Sequence, residues 1–193
     1  MGRRILIING NPDPAPERLS GALAQAYAAG ANAADHEVRR IDVGALSFSL
    51  LRNAADFAIP PKDPDILAAQ ASFRWAEHLV FIYPIWFGTI PALFKAFMEL
   101  VGCGEFLATP RAGSYSKGNL NGRSASVIVT MGMPALLYRL AFGAHGAKSF
   151  KRSILQLSGI SPVRTTYLGD TRISHERCRA GIALARSLGK RAL

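Results

Sequence analysis

Tyr83-Pro-Ile-Trp-Phe-Gly-Thr-Ile-Pro-Ala-Leu-Phe-Lys-Ala-Phe-Met-Glu99 is a hydrophobic strand running into a proline-bracketed aromatic loop that opens a helix. The apolar run from His78 to Tyr83 is short and broken at Pro84, the pattern of a strand buried on both faces. Pro91 suits a first helical turn, where its missing N–H is no loss, and Phe94, Phe97, Met98 and Val101 form an apolar stripe behind it. The loop from Pro84 to Ile90 therefore lies at the carboxyl end of a strand, the edge at which open parallel sheets bind ligands. Its aromatic residues suit it to hold a flat ring.

Outward from this stretch the chain alternates. Strand-like runs at Arg3 to Asn9, Glu37 to Asp42, His78 to Tyr83, Ser124 to Thr130 and Val163 to Gly169 are separated by helical patterns near 18–33, 63–76, 91–102, 134–158 and 172–190. This repeat predicts an α/β fold, a five-stranded parallel sheet of order 2-1-3-4-5 between two helical layers, in a single domain over residues 1–193. Thr165, Thr166 and Arg164 make the last strand polar. The longest irregular segment, Cys103 to Gly122, reads as a mobile loop rather than a linker.

At 193 residues and 49% hydrophobic, the chain is long enough for one self-sufficient core. No apolar run approaches the roughly 18 residues that span a bilayer, and Met1-Gly-Arg-Arg leads directly into a strand, so a cytoplasmic, non-embedded protein is expected. Cys103 and Cys178 match no paired-cysteine pattern, read as buried thiols, and suggest no metal site. Residues 1–105 carry 9 Lys/Arg against 11 Asp/Glu, whereas residues 106–193 carry 14 against 2, which places the whole net charge of +10 in the C-terminal part. Such a surface either attracts anions or is an ordinary solvated face. The basic residues are scattered singly without interleaved aromatics, so nucleic acid is not an expected partner.

Two further loops fall at the same sheet edge. The first, Asn9-Gly-Asn-Pro-Asp-Pro-Ala-Pro-Glu-Arg-Leu-Ser20, feeds a helix N-terminus, where free N–H groups favour a phosphate; Ser20 or Glu17 could equally cap that helix. It is neither a Gly-x-Gly-x-x-Gly fingerprint nor a P-loop. The second, Val129-Thr-Met-Gly-Met-Pro134, is followed by Tyr138 and by Gly143-Ala-His-Gly146. A Tyr O–H and a His N–H reaching such a site can stabilise negative charge on a ring, although each is also an ordinary interfacial or helix-end residue. His36, His78 and His175 read as surface or boundary positions.

The chain resembles the flavodoxin-like NAD(P)H:quinone oxidoreductase family over nearly its whole length. The resemblance centres on Pro84, Phe87, Pro91, Ala92, Lys95 and Glu99, followed by Gly104-Glu-Phe106. It extends to Ser116-Lys-Gly118, to Thr130 and Gly132, and to Tyr138 and His145-Gly146. It implies a three-layer flavodoxin-like sandwich and a homodimer with a flavin, FAD or FMN, at each of two subunit-interface sites. It also implies two-electron hydride transfer from NADPH or NADH to a quinone or other small-molecule acceptor. Carried onto this chain, Asn11, Arg18, Leu19, Ser20, Pro84, Ile85, Trp86, Phe87, Gly88, Thr130, Met131, Gly132 and Met133 hold the cofactor, and Tyr138 and His145 act on its reduced ring and on the acceptor. Asn11-Pro12, Arg18-Leu-Ser20, Met131, Met133 and Leu107-Ala-Thr-Pro110 depart from the family pattern, and the step from Tyr138 to His145 is one residue longer. An ancillary regulatory role on a membrane potassium-efflux system, with a membrane-protein partner, is the alternative implied; an electron carrier is disfavoured, since such carriers are acidic and this chain is basic.

Overall fold

The computed structural model describes residues 2–15, 17–110 and 117–193, so Ser116 of the family-like Ser-Lys-Gly lies outside the described residues. Five strands, β1 (Arg4–Asn9), β2 (Glu37–Asp42), β3 (His78–Pro84), β4 (Ser124–Thr130) and β5 (Val163–Leu168), form a parallel sheet in the order 2-1-3-4-5. Alternation decides which way each strand residue faces. Leu6, Ile8, Leu79, Phe81, Tyr83, Val127 and Val129 pack into one helical layer, and Ile5, Ile7, Val80, Ile82 and Ile128 into the other. This two-sided burial is why β1, β3 and β4 read as unbroken apolar runs. The polar β2 and β5 lie at the sheet edges.

One layer consists of α1 (Leu19–Asn32) and the C-terminal helix α7 (His175–Arg191). The short α2 (Ala54–Ala58) lies in the segment between β2 and the next helix, where the sequence predicted no element. The opposite layer contains α3 (Pro64–Trp75) and α4 (Ala92–Gly102). Asp63 caps α3 by accepting from the N–H groups of Asp65 and Ile66, with Pro64 in the first turn. The stripe of α4 is buried as expected, and Phe94 joins Phe81, Tyr83 and Phe150 in an aromatic knot with centroids 5.3–6.4 Å apart.

The helix expected over 134–158 is not continuous. It consists of α5 (Ala135–Leu140), a corner, α6 (His145–Ser149) and a π-helical extension, Phe150–Gln156. At the corner Gly143 (φ 57°) and Ala144 (φ 51°) are left-handed, and the Ala144 N–H returns to the Tyr138 carbonyl at 3.1 Å. This is the backbone conformation that ends helices. The segment predicted as a loop, Cys103 to Gly122, contains a two-residue antiparallel pairing of Ala108–Thr109 with Lys117–Gly118. Cys103 is buried as read from sequence, whereas Cys178 is only half-buried. His78 is a larger departure: it is 2% exposed, not a boundary residue. Among the described residues no helix is long and apolar enough to cross a membrane.

Candidate functional site

Because the strands are parallel, the loops after β1, β3 and β4 leave the same edge of the sheet. The loop after β3 is anchored by the Ile85 N–H, which donates to the Thr130 carbonyl at 2.8 Å. Beyond it, Trp86 and Thr89 exchange both backbone hydrogen bonds (3.0 and 3.1 Å) around Phe87 (φ 47°) and Gly88 (φ 81°). Two positive φ values in succession make the tight primed turn of a two-residue hairpin. Glycine fits there freely, and Phe87 is held in a conformation that bulky side chains rarely adopt. The turn thrusts Phe87 entirely into solvent and leaves Trp86 48% exposed. Among the described residues, the N–H groups of Phe87 and Gly88 have no backbone partner.

In the loop after β4, Thr130 and Met131 are buried, and the Met131 N–H donates to the Leu168 carbonyl at 2.9 Å. The Met131 carbonyl accepts from Thr171 Oγ1 (3.0 Å) and the Met133 carbonyl from the Asp170 N–H (3.1 Å). The carbonyls are thus tied to the loop after β5, whereas the N–H groups of Gly132 and Met133 have no backbone acceptor among the described residues. Thr171 and Asp170 were not singled out from sequence, because their role depends on the neighbouring strand.

Tyr138 is 1% exposed. Its hydroxyl donates to the Gly88 carbonyl at 2.9 Å and accepts from the Ala147 N–H at 3.3 Å, and burial pushes its pKa up. That hydroxyl therefore joins the hairpin to α6 and does not hang free at the site. Gly146 completes the joint: a β-carbon there would overlap the Gly88 carbonyl and the Thr89 backbone, so only glycine lets α6 lie on the hairpin. His145, the first residue of α6, is exposed, with its ring beside Gly143. A cavity of about 410 Å³ opens on the flank of the hairpin, walled by Trp86, Phe87, Ile90, Lys95 and Phe150. Lys95 is paired with Glu99 one turn on.

In the first loop, Asn11 is buried and organises the turn: its Nδ2 donates to Ser20 Oγ at 2.9 Å, and its backbone N–H donates to Asn9 Oδ1 at 3.3 Å. Asn9 in turn donates to Asp42 Oδ1 at 2.9 Å. Neither Ser20 nor Glu17 caps α1: Arg18 is the capping residue and gives no side-chain bond to the helix. The first intrahelical bond there runs from the Ala22 N–H to the Arg18 carbonyl, leaving the N–H groups of Leu19, Ser20 and Gly21 without an intrahelical acceptor. The Arg18 guanidinium is paired with Asp13, whose carboxyl is held below its usual range first by the Ala15 N–H and then by Arg18. Asp13 was not legible as a site residue, since proline-rich loops give no spacing rule for such a pair.

A doubly wound sheet with ligand-ready loops after strands 1, 3 and 4 is the flavodoxin-like class of architecture. The chain belongs to the family described as the flavodoxin-like fold, whose model matches residues 3–188. It is 28% identical over 155 residues to the ribosyldihydronicotinamide dehydrogenase-like protein traD of Penicillium crustosum, covering 67% of this chain and 57% of that one. To NAD(P)H dehydrogenase [quinone] 1 of Rattus norvegicus it is 30% identical over 131 residues, 57% of this chain and 47% of that protein. The chain thus spans about half the length of these relatives. Among solved structures, Smu.1420 from Streptococcus mutans UA159 superposes with a TM-score of 0.78 at 25% identity, covering 97% of this chain and 99% of that one.

Proposed function

We propose that this protein is a flavin-dependent oxidoreductase that takes a hydride from NADH or NADPH and delivers two electrons to a quinone or similar small electrophile. One observation carries the reading: three loops at one sheet edge each present backbone N–H groups that have no backbone partner among the described residues, and the loop after β3 adds the exposed rings of Trp86 and Phe87. The names of the relatives from Penicillium crustosum and Rattus norvegicus support the same activity.

The residues fit a flavin. The uncapped first turn of α1, with Leu19 and Ser20 positioned by Asn11, offers N–H groups and a helix dipole to a phosphate, and Arg18 adds a donor beside Asp13. Pro84 and Ile85 fix the start of the hairpin, Trp86 and Phe87 would wall a bound ring, and the N–H groups of Gly88, Gly132 and Met133 would be available to its polar edge. Thr130, whose carbonyl accepts from the Ile85 N–H, and Met131, tied to Leu168 and Thr171, hold the two loops that carry these groups. A bound flavin supplies the two-electron chemistry, and the protein supplies position and electrostatics. Tyr138 is a positioning residue that fixes the Gly88 carbonyl; His145, exposed beside the hairpin, is the candidate proton donor to the acceptor oxygen. The fully exposed Phe87 and the adjoining apolar cavity suit closure of the site by a second copy of the chain.

Purified protein is expected to carry or take up a flavin and to oxidise NADPH faster when a quinone is added. A colourless preparation that binds no riboflavin nucleotide supplied in excess overturns the reading.

A further inference from the structure

At about 100° of rotation per residue, Leu136, Leu137 and Leu140 share one arc of α5, Arg139 borders that arc, and the buried Tyr138 lies on the far side. Leu136 and Leu140 are 63% and 74% exposed, and Leu137 and Phe142, the latter in the corner that follows, are half-exposed. We propose that this face docks on an anionic lipid surface.

Single exposed apolar residues are ordinary on a folded protein, whereas four large ones within the seven residues 136–142 form a patch of the kind that marks an interaction surface. The side chains protrude from a six-residue helix, and the cavity on the flank of the hairpin is walled by other residues. The face is therefore distinct from the one suited to closure by a second copy. A bilayer interface receives protruding leucines without a complementary mould, because its acyl boundary is fluid.

Charge decides which surface fits. No Asp or Glu occurs between Glu105 and Asp170. Three exposed cations bracket the leucines: Arg172, whose stem lies against Gly132 just before α5, Arg139 within it, and Lys148 one turn beyond the corner. None of the three forms an ion pair among the described residues, and Asp170, the first acid beyond, is already paired with Arg177. Leucines bordered by free cations are the make-up of interfacial helices: the cations are drawn to anionic headgroups while the leucines enter the acyl boundary. An acidic protein would satisfy the cations, but it would also have to present a shaped apolar surface to the leucines. The far face of α5 holds the hairpin through the Tyr138 hydroxyl, so docking brings the candidate site to the lipid boundary, where apolar quinones dissolve. That consequence rests on the oxidoreductase reading; the docking does not.

The full chain is sedimented with vesicles of phosphatidylcholine and phosphatidylglycerol in equal parts and, separately, of phosphatidylcholine alone, at about 0.1 M salt. Saturable co-sedimentation with the anionic vesicles is expected, roughly tenfold or more stronger than with the zwitterionic ones. Leu136→Ser combined with Leu140→Ser, and Arg139→Gln combined with Lys148→Gln, are each expected to weaken it roughly tenfold. All four side chains are exposed, so both double variants retain the fold, which their thermal transitions verify. No co-sedimentation with the anionic vesicles, the result that an acidic protein partner predicts, overturns the proposal. Equal binding to both vesicle types, or binding undiminished in either double variant, overturns it as well. Light scattering without vesicles tests the second copy: a dimer that the double leucine variant dissociates assigns the face to that copy instead and overturns the proposal. None of these readouts involves a flavin, so the oxidoreductase reading stands or falls separately.

Discussion

Burial keeps the His78 ring neutral down to about pH 4, and Arg3, Arg164 and His36 further oppose its protonation. In the unfolded chain the same ring titrates near 6.5. Between those two values the unfolded state binds the additional proton, so this contribution is complete above about pH 6.5 and is lost as the pH falls towards 4, up to about 3 kcal/mol in all. His78→Gln is therefore expected to flatten the loss of stability across that window, measured as urea midpoints at several pH values. An unchanged acid slope would show that carboxylates alone set it. Tyr83 is a second buried group with an unmet need. Its hydroxyl is enclosed without a partner among the described residues, and burial pushes its pKa well above the usual phenol range. Tyr83→Phe removes an unsatisfied polar atom from the aromatic knot and is expected to raise stability by about 1 kcal/mol, read from the denaturant midpoint at constant slope.

The hairpin after β3 and the α5–α6 corner form one unit, because the Tyr138 hydroxyl and Gly146 both rest on Gly88. Gly146→Ala forces a methyl group against the Gly88 carbonyl, and the less buried partner, the hairpin, must move. Flavin affinity is expected to fall at least tenfold while the far-ultraviolet spectrum is kept, since the sheet takes no part in the contact; fluorescence quenching on titration with flavin measures it. Tyr138→Phe tests the same joint from the other side. It leaves the Gly88 carbonyl and the Ala147 N–H without their partner, about 1–2 kcal/mol, and is expected to loosen flavin binding as well as slow turnover. A purely chemical role for the hydroxyl would slow turnover with affinity unchanged. At this scale the sequence was unevenly legible. Ile5–Ile8 and Leu79–Tyr83 announced central strands because both faces are buried, and Pro84 and Pro91 bracketed the hairpin. The break within 134–158 left no comparable sign, because one of its two left-handed residues is Ala144, an ordinary helix former. His78 was misread because its neighbours are Ile5 of β1, Ser124 of β4 and residues 192–193, none of which local pattern encodes.

Seen whole, the molecule has its excess positive charge in residues 106–193, which supply β4, β5, α5, α6 and α7. That half also carries the loop with Gly132 and Met133, where the stem of Arg172 lies against Gly132 and Arg139 and Lys148 flank the corner. A nicotinamide donor is an anion, and the phosphorylated form has about two additional negative charges, so on the proposed oxidoreductase reading this half of the surface is expected to steer NADPH more strongly than NADH. Exposed charges act over about 10 Å at 0.1 M salt and only about 3 Å at 1 M. Raising the salt is therefore expected to increase the KM for NADPH several-fold and the KM for NADH less, with kcat nearly constant, because steering governs encounter and not the chemical step. Steady-state kinetics with both donors across a salt series read the difference directly. Parallel salt dependences for the two donors would mean that the basic half does not face the donor's path, and the charge asymmetry would then belong to a different partner of this surface.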